Sequence, residues 1–124
     1  MFTKIMAGAL LSMVLSAPVQ AQSLEIGSGI FCDTQQEMER FAALFDGDAQ
    51  TAINSVNAEV KDPTACVAAT IAFVRGPQVA TRRSWNETFH IVQVTVVGVV
   101  TAVGLRVTAP TAIYSIKRVE ERDA

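Results

Sequence analysis

Residues 34–61 read TQQEMERFAALFDGDAQTAINSVNAEVK, and this stretch decides the fold. Its apolar residues recur twice with a helical period, broken by one turn. Thr34-Gln35-Gln36-Glu37 is a capping box, in which the Thr34 hydroxyl takes the Glu37 amide and the Glu37 carboxylate reaches back. Met38, Phe41, Ala42 and Phe45 then fall at i, i+3, i+4 and i+7, the stripe of an amphipathic helix. Gly47, within Asp46-Gly47-Asp48, stops that helix. Asp48 caps a second one, with apolar positions Ala49, Ala52, Ile53, Val56 and Val60. Asp62-Pro63 ends it, because proline disfavours helical geometry in the residue before it. Two helices joined by so short a turn form an αα-hairpin.

Downstream the texture changes to β-branched residues. Val67, Ala69, Ile71 and Phe73 alternate with smaller side chains, as in a strand with one face on the helices, while the alanines leave a helix open as the alternative. Gly76-Pro77 punctuates this segment. Residues 88–100, TFHIVQVTVVGVV, form a long buried strand, with Gly98 marking a bulge or a bend. Gly104 and Pro110 bracket a turn region, and residues 112–119 make a last strand with Ala112, Tyr114 and Ile116 on one face. Residues 91–105 are apolar enough to suggest a membrane helix, but they fall short of the ~20 residues one needs, and valine and glycine favour a strand. Residues 22–30 read as a loose lead-in and 120–123 as a fraying polar tail. The expected fold is therefore α+β. An N-terminal helical hairpin (34–61) covers a three- or four-stranded, mainly antiparallel sheet (66–121), clipped by one disulfide where the first helix meets the first strand.

The first 21 residues form an export signal. Lys4 is the positive n-region, residues 5–15 the apolar h-region, and Val19-Gln20-Ala21 the small-residue cleavage site. No cysteine follows the site directly, which argues against a lipoprotein, and the h-region is too short for a stable membrane anchor. The expected locale is periplasmic or secreted. Residues 22–124 are then a single small domain carrying nine basic and twelve acidic residues, net −3. Half of the 124 residues are hydrophobic, which excludes a disordered chain, and the acidic balance argues against a nucleic-acid binder. In an oxidising compartment the two cysteines, Cys32 and Cys66, are more naturally bridged than free, and neither has a CxxC partner.

Charge is unevenly divided. Residues 22–63 carry eight acids against two bases, and residues 64–124 carry seven bases against four acids. Arg75, Arg82, Arg83 and Trp85 stand out in or beside the loop expected after the first strand. Guanidinium forks hold carboxylates bidentately and an indole adds a stacking face, so the four are candidates for binding a protein or a small acidic ligand. Set against that is an ordinary solvated loop. Metal binding fails, since His90 is the only histidine, and no cofactor motif is present: Gly27-Ser28-Gly29 is too short to cradle phosphate. Asn86-Glu87-Thr88 fits a glycosylation sequon that chance readily supplies, and Asp46 and Asp48 read as turn and cap residues. A small hydrolase using His90 with Ser84 or Glu87 is the enzymatic alternative, although no G-x-S-x-G elbow exists. A structural or envelope-stress protein without a discrete site is the third reading.

Phe31-Cys32-Asp33-Thr34, Asp46-Gly47-Asp48, the run from Ala52 to Asn57, Asp62-Pro63-Thr64-Ala65-Cys66 and Phe73-Val74-Arg75-Gly76 resemble a group of small exported, two-cysteine proteins of Gram-negative soil bacteria. The resemblance covers most of the chain beyond residue 21 and ends at Val119-Glu120-Glu121-Arg122. It implies export and the cysteine pair, and carries no activity and no functional residue. The function expected from all of this is a non-catalytic exported binding module.

Overall fold

The computed structural model describes residues 23–84 and 86–119. Residues 1–21, read above as an export signal, Trp85 and the tail at 120–123 lie outside the described residues. The element order is β1 (Leu24–Cys32), α1 (Gln35–Leu44), α2 (Ala49–Val60), β2 (Cys66–Ser84), β3 (Glu87–Thr101) and β4 (Gly104–Arg118). The protein is α+β, with two helices, one four-stranded antiparallel sheet and a Cys32–Cys66 disulfide.

Local chemistry sets the helices. Thr34 accepts the Glu37 amide at 3.1 Å and Glu37 Oε1 accepts the Thr34 amide at 3.1 Å, completing the capping box. Asp48 caps α2 through the Thr51 amide and hydroxyl, and these bonds hold its carboxyl below the usual range. Met38, Phe41 and Ala42 of α1 and Ala52, Ile53 and Val56 of α2 are buried. Val60, the last apolar position of the second stripe, is exposed at the end of α2.

The first correction concerns order. Residues 24–32 are not a lead-in but the first strand, in unbroken antiparallel register with β2 from Leu24↔Val74 to Cys32↔Cys66. The helical hairpin is thus not N-terminal; it is an excursion between β1 and β2. The disulfide consequently joins two strands rather than a helix to a strand, and its cysteines face each other directly in the register.

The second correction concerns β2. The strand does not end at Gly76-Pro77 but crosses it through a bulge, where the register with β3 shifts between Arg75↔Val94 and Gln78↔Val92. A β-carbon on Gly76 would stand 2.6 Å from the carbonyl oxygen of Gln93, so only glycine lets the two backbones approach here. The loop expected after the first strand is therefore strand. Likewise Gly104, with φ of 123°, closes a tight β3–β4 turn, and β4 runs on through Pro110 in one element. Gly98 does mark a bulge, as its register shift against β4 shows. Residues 91–101 belong to β3 and 104–105 to β4, joined by the turn at 102–103, and no helix among the described residues is long and apolar enough to cross a membrane.

The sheet coils until β1 meets β4, closing a small barrel. Both faces bury apolar residues, because alternate side chains of each strand point to opposite sides. One cluster packs Met38, Phe41, Ile53 and Val56 of the helices on Cys32, Cys66 and Ile91. The other lies on the opposite face and gathers Phe31, Ile71, Phe73, Val92, Val94 and Val96. Asn57 ties α2 to the start of β2: its side chain accepts the Cys66 amide at 2.8 Å and donates to the carbonyls of Pro63 and Cys66.

Candidate functional site

The closure of the barrel is uneven, and that unevenness makes the site. β1 pairs with β2 over nine residues, but with β4 only at Phe31↔Ser115 and Cys32↔Tyr114. Towards its N-terminal end the seam parts. There a groove of about 160 Å³ runs between Gly27, Ser28 and Gly29 of β1 and Ser115, Ile116 and Lys117 of β4.

Two glycines shape it. A β-carbon on Gly27 would lie 3.6 Å from the Phe73 ring, and one on Gly29 would lie 3.5 Å from the Phe31 ring. Both positions face the inner cluster, so their missing side chains leave a hollow lined by two aromatic rings. The rim is ionic. Arg75 holds Glu25 through two hydrogen bonds, at 2.8 and 3.1 Å, and its guanidinium lies 6.0 Å from the centre of the Phe73 ring. The Arg75 hydrogen bonds, helped by the charges of Arg75 and Lys117, keep the Glu25 carboxyl below the usual carboxylate range. Lys117 has no ion-pair partner among the described residues, and it sits on the opposite lip.

The arginines singled out from sequence do not converge. Arg75 lies at the groove. Arg82 donates to Glu39 of α1 at 2.8 Å and so fastens the helical layer to β2. Arg83 donates to Thr88 Oγ1 across the β2–β3 hairpin. Trp85 is outside the described residues. Of the three described members of the candidate quartet, Arg75 alone borders the groove. The charge asymmetry is partly spent within the fold, through Arg82–Glu39 and Arg75–Glu25.

The residues of the enzymatic alternative are likewise separated. Ser84 is 8% exposed, and its hydroxyl donates to the Phe45 carbonyl at 3.2 Å. Ser84 pairs with Glu87, and His90 pairs with Thr81 in the same unbroken register. His90 stands three positions beyond Glu87, an odd step, so the strand's alternation turns His90 to the face opposite Ser84 and Glu87. Glu87 is engaged by Arg118 at 2.6 Å. Among the described residues no group of three or more His, Cys, Asp and Glu side chains could hold a metal ion.

Gly27, Gly29, Phe73 and Lys117 escaped the reading from sequence. One signal was present: glycine at alternate positions within a strand marks a close approach or a hollow. Comparison of the chain with known protein families, with curated proteins and with solved structures finds no match to any of them.

Proposed function

We propose that this is a non-catalytic interaction domain, exported to the periplasm or beyond, that holds an acidic side chain of a protein partner in the groove between β1 and β4. The observation that carries the reading is the parted seam, a hollow over two aromatic rings with Arg75 and Lys117 on its lips. Size chooses between the partners considered. At about 160 Å³ the groove is well below the ~300–1,000 Å³ of pockets that engulf small ligands, so it suits one side chain of a larger partner. Arg75 on one lip is already held by Glu25, and Lys117 on the other, which has no ion pair among the described residues, selects a carboxylate. The disulfide is consistent with an oxidising compartment, which supports the exported reading.

Affinity capture from periplasmic extract tests this, using the wild-type protein beside Gly27→Val. The first added carbon meets Phe73 at ordinary contact distance and the branch fills the hollow, so the fold is retained. The wild type is expected to retain a partner that salt releases. Gly27→Val should hold it at least about tenfold more weakly, with thermal unfolding unchanged. Equal retention by both proteins would place the partner elsewhere.

A further inference from the structure

We infer that the partner enters as an extended strand added to the free edge of β1, a mode that rests on the groove reading above and specifies it. The edge is the first observation. Every residue of β1 from Leu24 to Cys32 pairs with β2 on one side, yet only Phe31 and Cys32 pair with β4 on the other. Along residues 24–30, alternate main-chain amides and carbonyls therefore point outward, with no strand among the described residues to receive them. A sheet edge of this kind is a template for another strand. Exposed edges are usually blunted by lysine, proline, a bulge or an inward-pointing charge; β1 carries only the last, Glu25, and Arg75 pairs with it.

The side chains beside that edge define what the added strand must present. On the inner face, Glu25, Gly27 and Gly29 alternate, so a neighbouring strand would aim every second residue into the hollow and at the Arg75 and Lys117 lips. On the outer face, Leu24 and Ile26 are 61% and 62% exposed, two large aliphatic residues side by side along the same edge. An apolar residue on the added strand would cover them as a cross-strand neighbour. The chemistry recognised is thus an extended segment that alternates apolar residues, facing Leu24 and Ile26, with small or acidic ones facing the groove. Main-chain pairing supplies affinity and the alternation supplies selectivity.

The test is a phage-displayed library of random decapeptides selected on the oxidised protein, followed by synthesis of one enriched peptide and of its counterpart N-methylated at alternate amides. Enrichment of alternating apolar and acidic sequences is expected. N-methylation on the pairing side should weaken binding at least about tenfold, while methylation of the other set of amides leaves it nearly unchanged. Ile26→Lys should weaken the same peptide without lowering thermal stability, since its side chain is already in solvent. If both methylated forms bind as the parent does and Gly27→Val abolishes binding, the groove reading stands and strand addition is wrong. If the enriched peptides also bind Gly27→Val unchanged, both fail. A library that yields no binder, or a protein that sediments as a dimer dissociated by Ile26→Lys, overturns the partner-strand proposal outright.

Discussion

Reduction of the Cys32–Cys66 bridge should lower the stability of the folded chain by about 3–4 kcal/mol, equivalent to a fall in Tm of roughly 15–25 °C for a domain of this size. The bridge joins the bases of β1 and β2, and both helices lie in the 34-residue separation it spans. In the unfolded chain that separation is free to expand, and the bridge removes the loop-closure part of the entropy that folding costs there. Both cysteines are buried, and the Met38 sulfur rests 3.8 Å from Cys32, so the bridge sits where a reductant must wait for an opening. Urea unfolding of the oxidised and reduced chains measures the difference. Two coincident curves would mean that the helical excursion is held by packing alone.

The second large effect is expected at Phe41. Truncation to alanine should cost about 3–5 kcal/mol, the range for a large aromatic removed from a core that cannot collapse around the void. Phe41 is 2% exposed, stands 5.9 Å from the Phe45 ring, and belongs to the cluster that seats the helices on Cys32, Cys66 and Ile91. Phe45 in turn meets Phe89 of β3 edge-on at 5.6 Å, so the loss travels from α1 into the sheet. The same cluster contains the disulfide, and the two perturbations should not add independently. Since domains of this size have about 5–15 kcal/mol in total, Phe41→Ala in the reduced chain should be largely unfolded at physiological temperature. Circular dichroism of the four oxidised and reduced, wild-type and variant forms reads the coupling.

The helices and the bridge were legible because their determinants are local or compositional. A capping box, a turn and two 3.6-period stripes need no knowledge of the rest of the chain, and two cysteines in an oxidising compartment leave one pairing. Residues of this region act locally: Thr34 and Asp48 cap helices, Asn57 latches α2 to Cys66, and Asp62 accepts the Thr64 amide in the turn before the bridge. β1 was hidden because Gly27 and Gly29 remove the inner-face apolar residues that a strand ordinarily shows, leaving only Leu24, Ile26 and Ile30 to mark the alternation. Gly76-Pro77 was misread for a different reason. The same dipeptide punctuates turns and bulges, and what distinguishes them here is the Gln93 carbonyl on another strand. The groove was out of reach altogether, since it depends on how far β1 and β4, from opposite ends of the chain, remain in register.

Amide exchange along β1, followed residue by residue by NMR on the oxidised protein, bears most directly on the parted seam. Alternate amides in residues 24–30 should exchange slowly, held by β2, while those between them exchange orders of magnitude faster, and Phe31 and Cys32, which lie between two strands, should show no such alternation. Uniform slow exchange across the whole segment would mean that the barrel is sealed along its length, leaving neither a groove nor a free edge for a partner.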